Sequence, residues 1–270
     1  MDGTRMADNP TCERLGDLSE PMAYRTVNPA EYHKMAAVED GMWYYRALHA
    51  HVARELATGL GARPAEVLDA GCGAGGLIRR LAPLQPAWRW TGIDVSPLAC
   101  ELARGRCAAE IREGSILELP FSNASFDAVV SADVIYHVQD DGGALREFFR
   151  VLRPGGIVVI NVPAYPWLWS YHDEATHACR RYGRGELLAK LATAGFAGRH
   201  ATHWNTLPFP LVVMRRKFWP APHQGSDVQH YPAPIEAAFN AAMALERAWL
   251  GGTGRLPFGS SILASAARDR

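Results

Sequence analysis

The chain has 270 residues, of which 48% are hydrophobic and 21% are charged, proportions that are typical of globular domains and argue against wholesale disorder. Its 28 basic and 28 acidic residues cancel at pH 7. A nucleic-acid polymer favours a strongly basic protein face, so this balance argues against such a partner. We therefore expect no nucleic-acid partner.

The N-terminal segment has no apolar run that could serve as a signal peptide, and no stretch approaches the roughly 20 apolar residues of a membrane span. The 5 cysteines form no CxxC pair, which argues against a disulfide framework and a structural zinc site. We expect a cytoplasmic protein with no membrane span and no bound metal. The oligomeric state is not readable from the sequence.

The first part of the chain predicts helices rather than strands. Residues 1–20 are polar and without periodicity, which predicts a flexible tail. Apolar residues at helical spacing over 29–60, with the aromatic segment 41–46 between the two runs, predict helices. Residues 21–64 are therefore expected to form an N-terminal helical cap.

From residue 65 onward, short apolar strands alternate with helical segments. The predicted strands are 66–70, 88–94, 109–114, 127–132 and 156–162, and the predicted helices are 76–82, 97–107, 143–152 and 185–196. Pro154-Gly155-Gly156 is expected to stop the third of these helices. Such alternation predicts a parallel sheet that is buried on both faces. Residues 205–259, rich in Pro, Trp and Phe, predict an insertion before a last strand at the C-terminal end.

The first predicted strand runs into a glycine-rich turn that predicts a nucleotide-type ligand. Gly71, Gly73 and Gly76 match G-x-G-x-x-G, and glycines let the backbone approach a ligand closely. That spacing alone also fits a dinucleotide. Asp69 favours a cationic cofactor, because its carboxylate would repel a pyrophosphate and attract the ammonium of S-adenosylmethionine.

Asp94, at the end of the second predicted strand, suits hydrogen bonds to ribose hydroxyls. A dehydrogenase would use an acid there in the same way, so Asp94 supports a nucleoside without choosing the cofactor. The alternative is that Asp94 caps the next helix.

The segments VLDAGCGAGG, GIDVS, GSILELPFSNASFDAVVSADVIYHV and LREFFRVLRPGG, in this order over about residues 65–162, resemble the class I S-adenosylmethionine-dependent methyltransferase family, in its small-molecule, type 11-like branch. The resemblance implies a doubly wound, Rossmann-like α/β sheet of seven strands, with helices on both faces and the last strand antiparallel. It also implies S-adenosylmethionine as the cofactor, bound by a methyltransferase domain over residues 65–270.

The same resemblance assigns the cofactor contacts. It places Gly71, Cys72 and Gly73 at the methionine moiety with Ala132 beside them, Asp94 at the ribose, and Val95, Ser115 and Ile116 at the adenine. Family members often have an acid at the position of Ser115, and a serine hydroxyl can accept the same bond from the adenine amino group. Turn chemistry is the alternative explanation for the polar residues after Ser115.

The acceptor is expected beyond the carboxyl ends of the strands, where the segments after strands four and five emerge. His137, after strand four, is a candidate general base because a histidine pKa near neutrality suits proton removal. The alternative is a histidine bonded to the backbone at a helix start.

The segment after strand five, residues 165–184, gathers His172, Asp173, His177 and Arg181. A metal site, an acid–base or acceptor-binding role, and a loop tied by salt bridges all fit this composition. We predict that these four residues and His137 are catalytic, without a metal. The aromatic segment 41–46 fits either a cover over the cofactor or packing against the sheet.

These patterns predict an enzyme that methylates a small organic acceptor at oxygen, nitrogen or carbon. The alternatives are other chemistry on the same cofactor, such as its intramolecular cyclisation, and an NAD-dependent oxidoreductase. The segment 214–219, MRRKFW, pairs cations with apolar rings, which fits an anionic or lipid-like acceptor, a membrane surface or a solvated face.

Overall fold

The structure, a computed structural model, describes residues 29–220 and 226–269, and in this part of the chain the strands form one seven-stranded sheet. The strands are β1 Ala65–Ala70, β2 Trp88–Asp94, β3 Glu110–Glu113, β4 Phe126–Ala132, β5 Leu152–Pro163, β6 Ala197–Trp204 and β7 Ser261–Ala267. Their spatial order is β3-β2-β1-β4-β5-β7-β6. Strands β1 to β5 pair in parallel, and β7 is antiparallel to β5 and β6. The predicted fold class is confirmed.

The helices cover both faces of this sheet. They are α1 Pro29–Val38, α2 Trp43–Leu60, α3 Gly76–Leu81, α4 Pro97–Arg106, α5 Asp141–Val151, α6 Tyr171–Ala175, α7 Arg184–Thr193, α8 Phe209–Phe218 and α9 Ala233–Thr253. One apolar cluster joins α2, α3 and α4 to the sheet, and a second joins α5 and α7 to it. The sheet is therefore sandwiched, as the apolar strands require.

The chain near Pro154 differs from the prediction. The helix α5 ends at Val151, before Pro154-Gly155-Gly156, and this motif lies inside β5. Phe126 pairs with Leu152 whereas Ala128 pairs with Ile157, so the motif forms an irregularity in the strand pairing. Proline has no backbone N–H to donate, which suits such a position.

Two further parts of the chain differ from the pattern-based prediction. The sequence pattern predicts no strand over residues 197–204, where β6 lies, because Gly198, His200 and His203 interrupt the apolar pattern at this edge of the sheet. The predicted insertion 205–259 contains the helices α8 and α9. The predicted tail 1–20 lies outside the described residues, and so do residues 21–28 of the helical cap, whose described part holds α1 and α2.

Arg268 ties the C-terminal end of α5 to the end of β7. Its Nη1 atom donates to the carbonyl oxygens of Phe149, Arg150 and Leu152 at 2.9, 3.1 and 2.7 Å. The last carbonyls of a helix have no partner within the helix, and a cation there also interacts favourably with the helix dipole. Arg268 thus fixes α5 against the sheet.

We expect Arg268→Ala to lower the free energy of unfolding by about 1.5–3 kcal/mol, because several charge-assisted hydrogen bonds are lost together. Urea denaturation followed by circular dichroism measures this loss. Arg146→Ala, on α5, is the matched control, because the Arg146 side chain is 65% exposed. This variant should change stability by less than about 0.5 kcal/mol. Equal losses in the two variants would contradict the capping role.

Candidate functional site

A cavity of about 480 Å³ lies at the carboxyl ends of the parallel strands, where open α/β sheets hold their ligands. The predicted cofactor residues that line it are Asp69, Gly71, Cys72, Gly73, Asp94, Val95, Ile116 and Ala132. The predicted catalytic residues that line it are His137, His172, Asp173 and Arg181. Ser115 and His177 are not part of this lining. Two distant sets of predicted residues thus meet in one cavity.

The glycine turn after β1 forms part of the cavity wall. Gly71 and Gly73 adopt φ values of +94° and +51°, which favour glycine. A Cβ atom on Gly71 would lie 2.4 Å from the methyl groups of Val134. A Cβ atom on Gly73 would meet only Met35, at 3.5 Å, so space remains beside Gly73 on the cavity side. Gly71 therefore serves packing, and Gly73 leaves room for a ligand.

Asp69 brings a buried carboxylate to this turn. The residue is 2% exposed, and its Oδ2 atom has no hydrogen-bond partner among the described residues. Burial raises the pKa of Asp69 to about 8, and the nearby Asp94 and Glu39 raise it further in the same direction. A buried, unpaired carboxyl group is costly unless a partner arrives. A cationic ligand group in the cavity would be such a partner.

Asp94 is held rigidly at the end of β2. Its Oδ2 atom accepts from the Gly73 N–H at 2.9 Å, and its Oδ1 atom accepts from the Ser96 N–H at 2.9 Å and the Tyr32 hydroxyl at 3.5 Å. Burial raises the pKa of Asp94. The cap of α4 is Ser96, whose hydroxyl accepts from the Ala99 N–H at 3.3 Å. The helix-cap alternative for Asp94 is therefore wrong.

Ser115 takes part in a local turn. Its hydroxyl accepts from the Leu117 N–H at 2.8 Å, and Ser115 forms an isolated bridge with Glu118. The next residue, Ile116, lines the cavity instead. The Ser115 hydroxyl is thus engaged within this turn, and its adenine contact stays a prediction.

The helix α1 closes one side of the cavity. Tyr32 reaches Asp94, and Glu39 is buried and ion-paired with Arg106 of α4. Arg106 also donates to the Ala74 carbonyl of the glycine turn at 2.9 Å. A Cβ atom on Gly76 would lie 2.2 Å from the Glu39 carboxyl carbon, so this glycine is needed beneath α1. The chain after α1 is thus bound to the cofactor turn.

The aromatic segment predicted at 41–46 forms the start of α2, and it both lines the cavity and packs. Trp43 stacks on Phe239 of α9 with ring centroids 4.7 Å apart. Tyr44 stacks on Trp204 of β6 at 5.1 Å. Trp43, Tyr44 and Tyr45 all border the cavity. The two alternatives for this segment are therefore not exclusive.

A polar network at the ends of β4 and β5 is the part of the site that sequence reasoning missed. Asp133 accepts from the Tyr44 hydroxyl at 2.9 Å and from the Asn161 amide at 2.8 Å. Trp204 donates to the Asn161 carbonyl oxygen at 2.7 Å. Burial raises the pKa of Asp133 to about 6, although both donors oppose this. Asp133 has φ +59°, and it lines the cavity.

His137 also lines the cavity, but its environment disfavours a charged ring. Burial lowers the pKa of His137 to about 4, and the ring bonds to the backbone of His177. Its Nδ1 atom is buried without a partner among the described residues. His177 itself has an exposed side chain outside the cavity lining. The structure thus agrees with the backbone-bonded interpretation of His137 and leaves His177 away from the cavity.

Asp173 and Arg181 form a buried ion pair at the cavity wall. Arg181 Nε lies 2.7 Å from Asp173 Oδ1, and their side chains are 1% and 2% exposed. Arg181 also donates to the Ala164 carbonyl at 2.9 Å, and Asp173 accepts from the Ser170 N–H at 2.9 Å. The pair therefore ties the segment after β5 together. The salt-bridge alternative holds for these two residues.

His172 contributes a neutral ring to the same wall. Its Nδ1 atom accepts from the Asp227 N–H at 3.1 Å. Burial lowers the pKa of His172 to about 4, with Arg216 acting in the same direction. The Asp227 carboxylate is engaged by the Tyr171 hydroxyl at 2.6 Å and by Arg216 at 3.3 Å. Because Nδ1 of the neutral ring already accepts this bond, Nε2 carries the proton and can donate a hydrogen bond to a ligand.

The outer wall of the cavity is mainly apolar and comes from α2, α8, α9 and their connections. Its apolar members are Met42, Trp43, Leu48, Leu211, Val212, Val228, Tyr231 and Phe239. The strand ends contribute mainly carboxylates and glycines to the lining, and we call this part the inner end. The helices and connections contribute these apolar side chains together with Arg215, Arg216, Asp227 and Gln229, and we call this part the outer compartment. Within residues 29–220 and 226–269, no helix is long and apolar enough to cross a membrane.

The middle of the chain is similar to known methyltransferases. Residues 68–160 match a family described as a methyltransferase domain. A protein described as a probable S-adenosylmethionine-dependent methyltransferase of Mycolicibacterium smegmatis is 35% identical over 161 residues, which cover 58% of this chain and 60% of that protein. The chain spans 45% to 60% of the length of the first curated relatives that it matches.

Two solved structures share the fold. A possible histamine N-methyltransferase of Thermotoga maritima superposes with a TM-score of 0.54 at 17% identity, covering 89% of this chain and 96% of that one. The [4+2]-cyclase SpnF superposes with a TM-score of 0.54 at 21% identity, covering 81% and 80%. These likenesses concern the fold, whereas the sequence match over 68–160 concerns the family. Over residues 68–160 the chain thus matches a methyltransferase domain, and it is similar to S-adenosylmethionine-dependent methyltransferases.

Proposed function

We propose that the protein transfers a methyl group from S-adenosylmethionine to a small, largely apolar acceptor. The observation that carries this proposal is the buried Asp69 carboxyl group, whose Oδ2 atom has no partner among the described residues and which lies beside the glycine turn. A cationic amino-acid moiety supplies the missing partner. A pyrophosphate at the same turn would instead add negative charge beside Asp69 and Asp94.

The residues at the inner end of the cavity fit the whole cofactor. Asp69 would hold the ammonium group, Asp94 would accept from the ribose hydroxyls, and Val95 and Ile116 would enclose the adenine. When bound, the cofactor supplies a methyl group on a positively charged sulfur, which is an activated leaving group. The chain's own contribution is then to orient both reactants and to exclude water from the cavity.

Asp133 is our candidate for the group that takes the acceptor's proton. Its carboxylate lies in the cavity between the inner and outer compartments, and Tyr44 and Asn161 hold it in place. A base with a pKa of about 6 is ionised at neutral pH, and it can accept the proton of an attacking hydroxyl or amine. A ring with a pKa of about 4, as in His137 and His172, binds that proton less favourably.

The apolar outer wall indicates the character of the acceptor. The side chains of Met42, Leu48 and Val212 offer a polar acceptor no hydrogen bonds, although Arg215 and Gln229 also line the cavity. An apolar acceptor with one nucleophilic oxygen or nitrogen would instead bury its carbon skeleton there and present the nucleophile towards Asp133. The identity of the methylated atom then depends on which group reaches this carboxylate.

Cofactor binding should release about one proton at pH 6.5. Asp69, with a pKa of about 8, is mostly protonated in the free protein, whereas the ligand ammonium favours its ionised form. An α-amino group is still protonated at this pH, so the released proton comes from the protein. Calorimetry with S-adenosylhomocysteine in buffers of different ionisation enthalpy measures the release. Affinity should rise between pH 6 and pH 7.5, because the cost of deprotonating Asp69 falls.

The matched variant is Asp69→Asn, which keeps the size of the side chain. It should bind about 1.5–3 kcal/mol more weakly and release no proton. NAD is the control ligand and should produce no heat of binding. Proton release that persists in Asp69→Asn, or tight binding of NAD, would contradict the assignment.

Asp133→Asn should lower kcat/KM for the acceptor by about 10²–10⁴-fold while cofactor affinity stays near that of the wild type. Formation of S-adenosylhomocysteine from methyl-labelled cofactor, with a panel of apolar alcohols, phenols and amines, provides the assay. In the wild type, kcat/KM should fall as pH drops through about 6, because protonation removes the base. Release of methylthioadenosine instead would indicate cyclisation of the cofactor.

Tyr44→Phe is the companion variant for Asp133. The Tyr44 hydroxyl lowers the pKa of Asp133, so its removal should move the acid limb of the pH profile to higher pH without abolishing activity. An unchanged limb in Tyr44→Phe, together with full activity of Asp133→Asn, would exclude Asp133 as the base.

Arg181→Ala should destabilise the protein by about 3–5 kcal/mol, because Asp173 would be left buried without its cation. The double variant Asp173→Leu with Arg181→Met should be more stable than Arg181→Ala, since no unpaired charge remains. Thermal denaturation of both variants provides the comparison. Normal stability of Arg181→Ala with impaired turnover would instead support the acceptor-binding role.

A further inference from the structure

The helix α8 leaves a continuous apolar face open to solvent. Leu211, Met214 and Phe218 follow one another at the spacing of one helix face, and they are 53%, 48% and 79% exposed. Trp219, directly after the helix, is 63% exposed. None of the residues of α8 is buried. We call Leu211, Met214, Phe218 and Trp219 the α8 apolar face.

Neighbouring elements carry further exposed apolar side chains. Trp167 is 53% exposed, and its ring lies 6.2 Å from that of Phe209 at the start of α8. Phe209 in turn lies 5.8 Å from Phe258, which is 44% exposed. Trp167, Phe209 and Phe258 thus form a second apolar group at the N-terminal end of α8, on the other side of the helix from Leu211, Met214 and Phe218. Exposed apolar surfaces of this extent mark contacts with another phase or partner.

Cations stand at the edge of the α8 apolar face. Arg215 and Lys217 form no ion pair with a carboxylate of the described residues, whereas Arg216 is paired with Asp227 at 3.3 Å. Lys217 is exposed and donates to the Trp169 carbonyl at 3.0 Å, and Arg215 lies over the Tyr171 ring at 5.0 Å. Arg215 also donates to the Pro220 carbonyl at 2.8 Å and helps to lower the pKa of Asp227, so Lys217 is the more available cation. Apolar side chains with cations at their edge complement a surface of anionic headgroups over hydrocarbon.

The same helix borders the mouth of the cavity. Leu211 and Arg215 line the cavity, and Leu211 is also more than half exposed. The opening of the apolar outer compartment therefore lies beside the α8 apolar face. A molecule that enters the cavity here from an apolar surface would cross little water before it contacts the apolar lining.

We propose that the α8 apolar face docks on an anionic lipid surface, so that an amphiphilic acceptor passes from the lipid directly into the cavity. The docking stands on the exposed residues and their charges alone, and only the passage of an acceptor rests on the proposed function. A folded protein partner on the same face would cover the opening at Leu211, whereas a fluid lipid surface leaves it accessible. The docking is interfacial, with Phe218 and Trp219 entering the headgroup region.

Sedimentation of the full chain with lipid vesicles, without cofactor or acceptor, tests the docking. The wild type should partition roughly tenfold or more strongly onto phosphatidylcholine vesicles containing about 30% phosphatidylglycerol than onto pure phosphatidylcholine. Raising the salt from about 0.1 M to about 0.5 M should weaken this preference, because the cations are screened. Lys217→Gln should reduce the dependence on the anionic lipid.

Phe218→Ser with Trp219→Ser should reduce partitioning by roughly tenfold or more, since both side chains lie on the docking face and outside the cavity lining. The matched control is Leu84→Ser with Leu245→Ser, which removes two apolar side chains that are 66% and 67% exposed elsewhere. The control should partition like the wild type. Both double variants should bind S-adenosylhomocysteine normally, so a failure of docking is distinguishable from a failure of the cofactor site.

Three outcomes would overturn the docking. The wild type would fail to bind anionic vesicles, or the two double variants would bind them equally well. Alternatively, sedimentation equilibrium would show a wild-type dimer that Phe218→Ser with Trp219→Ser dissociates, without any vesicle binding. This last result would assign the α8 apolar face to contacts between copies of the chain.

Discussion

The geometry of the site depends on a buried carboxyl group, that of Asp69, for which residues 29–220 and 226–269 supply no paired cation. Asp69 lies at the end of β1, where Asp94 and Glu39 also raise its pKa. Glu39 is compensated by Arg106, and Asp94 by two backbone N–H groups. The Oδ2 atom of Asp69 remains without a partner in the described part of the chain. Burial therefore disfavours the ionised form of Asp69 in the free protein, and a cationic ligand group beside it would stabilise that form.

The segments around Asp69 convert this local feature into a two-compartment cavity. The end of α1 lies over the glycine turn through Glu39 and Arg106, so the inner compartment is enclosed. Tyr44 then joins α2 to Asp133 on the opposite side. Beyond these hydrogen bonds and ion pairs, α1 and α2 contribute apolar residues to the cavity lining. Polar contacts thus fix the inner end of the cavity, and apolar side chains line much of the outer compartment.

The inner end of the cavity was predictable from the sequence because its residues stand at the ends of strands. Asp69, Gly71, Gly73 and Asp94 each follow or end an apolar strand, and strand ends meet at one edge of a parallel sheet. The acceptor end was less predictable, because it depends on long-range contacts. Asp133 is held at the cavity by hydrogen bonds from Tyr44 of α2 and Asn161 of β5, which are distant from it in the sequence.

Arg181 also shows how contacts that are distant in the sequence limit the prediction of catalytic residues. Its position in a loop beside two histidines favoured a catalytic role, but no local pattern reveals that a side chain is buried. In the structure it is 1% exposed and bonded to Asp173 and Ala164. Truncating a buried, ion-paired residue lowers activity by destabilising the fold. A simple activity assay does not distinguish this loss from the loss of a side chain that contacts the substrate. The buried Asp173–Arg181 pair therefore holds the cavity wall, whereas Asp69, whose Oδ2 atom has no partner among the described residues, and Asp133, held by Tyr44 and Asn161, border the cavity.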